Sequence, residues 1–153
     1  MRSRFDHSVT LLIEDNDDDA DLAAMAFRAA KIKSPVVRVR DGQEALDYIF
    51  ARGSYEDRGK EPLPCVVLLD LKLPRMHGLQ VLAAIRADKR TRHLAVVVLS
   101  SSDLDRDREA SYELHCNSYV QKPVNYDQFV EVCRELGIYW TMVNLPCPTI
   151  EAA

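Results

Sequence analysis

The chain has 153 residues, enough for one domain, and its 47% apolar and 29% charged residues are the proportions of a globular protein. A net charge of −4 at pH 7 argues against a surface that binds nucleic acid. No segment has the length and apolarity of a membrane span or a signal peptide, so we expect a cytoplasmic protein.

The cysteines predict neither a disulfide framework nor a zinc site. They lie far apart, with no Cys-x-x-Cys pair and no clustered Cys/His spacing: Cys65, Cys116, Cys133 and Cys147. We therefore expect reduced thiols with a structural role.

Strands and helices are predicted to alternate along the chain. Five apolar segments of strand length occur at residues 9–13, 36–39, 66–69, 94–99 and 117–121. Each is followed by a predicted helix, with apolar residues at helical spacing up to about residue 31 and over 45–50, 79–85 and 129–136. The helix predicted over 103–115 is rich in charge and has only a thin apolar face. An acid among residues 17–19 is expected to cap the first helix, and Asn125 or Asp127 to begin the last. The long polar connection 51–64 is expected to be an exposed loop.

This alternation predicts an α/β fold, a doubly wound five-stranded parallel sheet with helices on both faces. The run Val66-Val67-Leu68-Leu69 is apolar at every position, as in a parallel strand that is buried on both sides. Open α/β sheets bind ligands at the carboxyl ends of their strands. Asp70, which follows this run directly, is therefore a candidate site residue.

Polar residues with complementary chemistry end four of the five predicted strands: Glu14 and Asp15, then Asp70, Ser100 and Lys122. Three neighbouring carboxylates repel each other, so we expect one of them to have a raised pKa unless a cation lies among them. So few oxygen ligands suit Mg²⁺, which shares its coordination with water and phosphate. Lys122 would bind phosphate, and before phosphorylation it would pair with Asp70.

The set contains no His or Cys pair that could serve as nucleophile and base. Phosphoryl transfer needs mainly positioning and charge neutralisation, and a carboxylate such as that of Asp70 can accept the group covalently. Other interpretations stay open: the acids could be solvated strand ends, and Ser101 could replace Ser100. Residues 17–19 are expected to cap a helix and carry surface charge rather than bind metal.

The ordered motifs of residues 9–136 resemble a two-component response-regulator receiver domain. They are Glu14-Asp15, Leu69-Asp70-Leu71-Lys72-Leu73-Pro74 with Gly78, Val98-Leu99-Ser100-Ser101, and Tyr119-Val120-Gln121-Lys122-Pro123. The resemblance implies a flavodoxin-like sheet order of 2-1-3-4-5 and a cis Lys122–Pro123 bond. It implies Asp70 as phosphoacceptor, Lys122 as phosphate-binding cation, and Ser100 and Tyr119 as switch residues. Its implied Mg²⁺ ligands are Asp15, Asp70, the backbone carbonyl of Lys72, and Glu14 partly through water.

The residues of three segments narrow the resemblance to one group of response regulators. Residues 52–55 and 136–140, together with 71–76, are similar to the stand-alone regulators paired with bacterial phytochrome histidine kinases. The implied partner is therefore a sensor histidine kinase of that type. The chain would promote only its own phosphorylation and dephosphorylation, and would signal through protein contacts or act as a phosphorelay or phosphate sink. The switch residue Ser100 departs from the commoner threonine, so its rotamer is less restricted.

The C-terminal segment is predicted to lie outside the receiver domain, which is assigned residues 1–137. Residues 138–153 carry large apolar groups, among them Tyr139, Trp140, Met142 and Leu145. These groups could fold back onto the domain, or they could form a dimerisation arm. We expect the arm and a homodimer, because monomers seldom expose a large apolar patch.

Two alternatives from other classes share parts of this pattern. A flavodoxin-like electron carrier has the same sheet order, but it needs a phosphate-binding loop after the first strand, where this chain is acidic. A haloacid-dehalogenase-like phosphatase also uses an Asp nucleophile with Mg²⁺. Its Asp-x-Asp motif belongs at the first strand, and the residue two positions after Asp70 is Lys72.

Overall fold

The computed structural model describes residues 8–148. Its five parallel strands form one sheet in the order β2-β1-β3-β4-β5, which confirms the predicted fold class and topology. The strands are β1 (Thr10–Ile13), β2 (Val36–Val39), β3 (Val66–Leu69), β4 (Val96–Ser100) and β5 (Ser118–Gln121). The helices are α1 (Asp17–Ala29), α2 (Gly42–Ile49), α3 (Gly78–Ala87), α4 (Asp105–Glu113) and α5 (Tyr126–Ile138).

The two faces of the sheet carry separate apolar clusters, because side chains alternate along each strand. One cluster joins Leu11, Val67 and Val98 to the inward faces of α2 and α3. The other joins Leu12, Leu68 and their neighbours to α1 and α5. The central strands β1 and β3 are fully buried, so the residues directly after them have fixed positions.

Side-chain caps begin four of the five helices. The Asn16 side chain accepts a bond from the Asp19 N–H at α1, so the cap is the asparagine and not one of the predicted acids. Asp41 caps α2, and His77 caps α3 together with Gln80. Asn125 caps α5, which decides between the two predicted starts of that helix.

The connection 51–64 contains more structure than the predicted loop. Gly53–Arg58 is a 3₁₀ helix, and most of its residues are exposed as expected. It packs onto α2 because the ring of Tyr55 meets that of Tyr48 edge-on, with 5.1 Å between centroids. The guanidinium of Arg58 also stacks 3.5 Å from the centre of the Tyr48 ring.

The peptide bond between Lys122 and Pro123 is trans, since residues 8–148 contain no cis peptide bond. The prediction of a cis bond is therefore wrong. A proline tertiary amide favours the trans form by about 0.5–1 kcal/mol, so a proline alone does not specify the isomer.

The chain stays helical beyond the boundary predicted at residue 137. Helix α5 ends at Ile138 and leads directly into a π-helical turn, Tyr139–Val143. Trp140 packs against the α1–α5 cluster, and the Thr141 hydroxyl donates to the Gly137 carbonyl at 2.6 Å. Within residues 8–148, no helix is long and apolar enough to cross a membrane.

Candidate functional site

The carboxyl ends of β1 and β3 bring three predicted site residues together. Carboxylate oxygens of Glu14, Asp15 and Asp70 lie within 4.8 Å of one another. Backbone bonds fix two of these residues, since the Asp70 N–H donates to the Ile13 carbonyl at 3.1 Å and the Glu14 N–H to the Val39 carbonyl at 3.0 Å. Glu14 and Asp70 are buried, and Asp15 is exposed.

Lys122 reaches the same place from the end of β5. Its backbone N–H donates to the Ser100 carbonyl at 2.8 Å, which ties it to β4. Its ammonium group donates to Asp70 Oδ2 at 3.1 Å, which confirms the predicted pair, and also to Glu14 Oε1. A third bond, of 3.0 Å, goes to Asp19 Oδ2.

One of the three neighbouring carboxylates, that of Glu14, has the raised pKa that their mutual repulsion predicts. Burial and the neighbouring Asp70 carboxylate together raise the pKa of Glu14 to about 8, against the opposing effect of the Lys122 ammonium group. Burial lowers the pKa of the Lys122 ammonium, but the charges of Asp70 and Glu14 outweigh this and raise it above its ordinary value. The second oxygen of Glu14, Oε2, is buried and has no hydrogen-bond partner among the described residues.

The loop between β3 and α3 holds the backbone close to Asp70. The Lys72 N–H points back to Asp70 Oδ1 at 3.3 Å. Gly78 lies so near that an added Cβ would stand 2.4 Å from the Asp70 carbonyl oxygen. The Lys72 carbonyl as a metal ligand stays a prediction.

The predicted switch residues Ser100 and Tyr119 share a neighbour, Ser102. Ser100 is fully buried, and its hydroxyl accepts a bond from the Ser102 N–H at 3.2 Å. The half-buried Tyr119 donates its hydroxyl to the Ser102 carbonyl at 3.1 Å. Ser101, the alternative to Ser100, is exposed. The roles of Ser100 and Tyr119 in switching stay predictions.

The contact of Asp19 with Lys122 was missed by the sequence analysis, which assigned residues 17–19 to capping and surface charge. Asp17 fits that assignment, because it pairs at the surface with Arg38 at 2.7 Å and Arg40 at 3.0 Å. The sequence offers no signal that separates Asp19 from Asp17 and Asp18, because all three lie in the first turn of α1.

The donor set suits a hard divalent cation. Carboxylate oxygens converge, and the buried Oε2 of Glu14 lacks a hydrogen-bond donor among the described residues. Oxygen ligands of this kind are those of Mg²⁺, Mn²⁺ and Ca²⁺. The acidic group therefore fits the metal that the sequence predicts.

The family profile of the response regulator receiver domain matches residues 10–134. The chain belongs to this family. The match agrees with the sheet order and with the acidic edge, and it decides against the electron-carrier and phosphatase alternatives. Receiver domains bind a divalent metal at an acidic pocket, and response regulators are generally not classical enzymes.

Two curated relatives cover most of this receiver. The probable methanogenesis regulatory protein FilR2 of Methanothrix harundinacea is 37% identical over 135 residues, with 88% of this chain and 84% of the relative covered. Response regulator Rcp1 of Synechocystis is 34% identical over 139 residues, covering 90% and 92% respectively.

Solved structures show the same fold. Mn²⁺-bound Rcp1 superimposes with a TM-score of 0.85 at 32% identity, covering 92% of this chain and 99% of Rcp1. The phosphorylated cyanobacterial phytochrome response regulator RcpA gives 0.85 at 35% identity, covering 92% and 98%. The bacteriophytochrome response regulator RtBRR gives 0.73 at 42% identity, covering 95% and 87%. This receiver is thus similar to phytochrome response regulators.

Proposed function

We propose that this receiver accepts a phosphoryl group on Asp70 from a sensor histidine kinase, of the phytochrome type, in a Mg²⁺-dependent reaction. The convergence of Asp70, Lys122 and two further acids at one sheet edge carries the proposal. The phytochrome part is supported by the similarity to RcpA and RtBRR, whose names record that pairing for those proteins.

Phosphoryl transfer to Asp70 requires mainly that the protein position the reacting groups. A carboxylate oxygen of Asp70 forms a bond to phosphorus as the phosphorus–nitrogen bond of the kinase phosphohistidine breaks, and the imidazole nitrogen keeps the bonding electron pair. Glu14, Asp15, Asp70 and the Lys72 carbonyl would hold Mg²⁺, which supplies charge neutralisation to the transferred group. Lys122 is within reach to pair with a phosphoryl oxygen, because it already contacts Asp70.

The signal is proposed to leave through Ser102 and α4. Ser100 and Tyr119 both bond to Ser102, and the Ser102 hydroxyl donates to Asp107 of α4 at 2.5 Å. A phosphoryl group that draws the Ser100 hydroxyl would break its bond to Ser102 and disturb this chain of contacts. The output is a change in protein contacts, or the receiver acts as a phosphorelay or sink, and it promotes only its own phosphorylation and dephosphorylation.

The C-terminal segment is proposed to act as a dimerisation arm, so that a receiver of residues 1–137 carries an extension of residues 138–153. Trp140 and Thr141 pack on the receiver, as the folding-back alternative expected. Met142, Val143 and Leu145 remain 62%, 60% and 80% exposed. A second copy would cover this apolar group. A cytoplasmic location belongs to the same proposal and rests on the sequence.

Acetyl phosphate with Mg²⁺ tests the central claim. Intact-mass spectrometry should show one added phosphoryl group, mapped to Asp70 after reduction of the acyl phosphate with borohydride. Asp70→Asn should abolish labelling, whereas Asp103→Asn, a change to an exposed acid, should not. Full labelling of Asp70→Asn would overturn the assignment of the acceptor.

The partner is tested by phosphotransfer profiling. Purified histidine kinases, including phytochrome-type kinases in their two light-induced states, are loaded with labelled phosphate and mixed with this receiver at equal concentrations. Transfer should be fastest from a phytochrome-type kinase. Equal or faster transfer from unrelated kinases would contradict that part of the proposal.

A further inference from the structure

The ammonium group of Lys122 has three carboxylate partners, and one of them lies outside the metal-binding acids. Glu14 and Asp70 belong to the group whose oxygens could hold a metal. Asp19, at 3.0 Å from Nζ, does not. It comes from the first turn of α1 rather than from the end of a strand.

The position of Asp19 is fixed by the start of α1. Its backbone N–H donates to the Asn16 side chain at 2.9 Å, which sets the first turn of the helix. The next residue, Ala20, is buried against the sheet, so this turn cannot move away without exposing apolar surface. The Asp19 side chain is 28% exposed and directed to Lys122.

Metal binding would change how the charge of Lys122 is shared. Glu14 and Asp70 would turn their oxygens to a bound cation, whereas Asp19 would keep its bond to the ammonium group. A phosphoryl group on Asp70 then meets a lysine that already has an anionic partner. Asp19 also lies close enough to repel the phosphoryl charge.

We propose that Asp19 is a positioning residue that competes with the phosphoryl group for Lys122 and thereby lowers the affinity of the site for that group. This inference rests on the proposed function, because it assumes that a phosphoryl group occupies Asp70. The same carboxylate favours the metal, both by its charge and by drawing Lys122 away from Glu14 and Asp70. Asp19 thus acts on metal and phosphoryl group in opposite directions.

The neighbouring acid Asp18 offers a matched control. It is exposed and lies in the same first turn of α1, and its side chain forms no hydrogen bond or ion pair with any residue of the described range 8–148. Replacing either aspartate by asparagine removes one charge from the same helix end. Only the change at residue 19 removes the contact with Lys122.

Two affinities of the full chain separate this role from a structural one. At saturating Mg²⁺, beryllofluoride, a mimic of the phosphoryl group, should bind Asp19→Asn about threefold to tenfold more tightly than wild type in fluorine NMR titrations. Mg²⁺ alone should bind about threefold to tenfold more weakly in calorimetry. Asp18→Asn should change each constant by less than about twofold, and Asp19→Glu, which restores the charge, should return both toward wild type.

The outcomes are distinguishable. A loss of both affinities in Asp19→Asn, or changes no larger than those of Asp18→Asn, would overturn the role of Asp19. A wild-type chain that neither binds beryllofluoride nor is labelled on Asp70 would overturn the proposed function instead.

Discussion

The Nζ atom of Lys122 lies 3.1 Å from Oδ2 of Asp70, although β4 separates the strands that carry the two residues. Each side chain is only 9% exposed, so this ion pair is largely removed from water. A buried cation among several carboxylates stabilises charges that would otherwise repel each other. The edge of the sheet therefore depends on Lys122 when no divalent metal is bound.

Replacing Lys122 by methionine should destabilise the metal-free protein by about 1–3 kcal/mol, because Glu14 and Asp70 lose their shared partner. Protonation of Glu14, whose pKa is already about 8, limits the loss. Urea denaturation in the presence of a chelator measures the change. Lys89→Met, which removes an exposed charge, serves as the control. An unchanged free energy of unfolding in Lys122→Met would show that the cluster needs no cation.

Asp70→Asn should have the opposite effect on stability while it abolishes phosphorylation. The neighbouring Asp70 carboxylate raises the pKa of Glu14, so it opposes ionisation of that residue. Removing that charge should stabilise the metal-free protein by about 1 kcal/mol near pH 8, as expected for a strained functional site. Denaturation in chelator measures the gain, and added Mg²⁺ should reduce it. A less stable Asp70→Asn protein would contradict this account.

Gly78→Ala should disturb the loop that supports Asp70. The new Cβ would stand 2.4 Å from the Asp70 carbonyl oxygen and 2.7 Å from the Leu71 Cα, both backbone atoms that cannot move aside cheaply. We expect a loss of about 1–3 kcal/mol in the free energy of unfolding and a weaker affinity for Mg²⁺. Gly59→Ala is the control, since its Cβ would meet only the Glu56 carbonyl at 3.7 Å. A fully stable Gly78→Ala protein would show that the loop can shift.

Sequence patterns predicted the sheet and the position of its site well, for a physical reason. Strands buried on both faces are apolar throughout, so β3 and the Asp70 that ends it are visible in the sequence. The parallel topology then places Glu14, Asp70 and Lys122 at the same edge. Distances such as the 3.1 Å between Lys122 and Asp70 come only from the folded chain.

The features that sequence patterns missed depend on side-chain reach or on small energy differences. The contact from Asp19 to Lys122 spans 103 residues, and nothing in the acidic run 14–19 distinguishes Asp19 from its neighbours. The isomer of the Lys122–Pro123 bond depends on a difference of about 0.5–1 kcal/mol, which a dipeptide cannot decide. In the turn Tyr139–Val143, Trp140 packs against the α1–α5 cluster, a contact that depends on the folded receiver.

Self-association can be tested at the exposed apolar side chains of residues 142–145 without disturbing the packing of Trp140 on the receiver. Truncation after residue 136 would remove Trp140 and so damage the receiver itself. The pair of changes Met142→Glu and Leu145→Glu instead alters side chains that are 62% and 80% exposed. Their burial between two copies would be lost, and the introduced charges would repel across a two-fold axis.

We expect wild type to sediment as a dimer and the Met142→Glu/Leu145→Glu protein to dissociate at least about tenfold more readily, since an unpaired charge in an apolar contact costs more than 1.4 kcal/mol. Val124→Glu places the same new charge on a fully exposed valine before α5 and should leave the dimer intact. Analytical ultracentrifugation over a range of concentrations measures all three proteins. A monomeric wild type, or a dimer unaffected by the double change, would remove the arm from the proposed function, while the phosphorylation of Asp70 would stand on its own evidence.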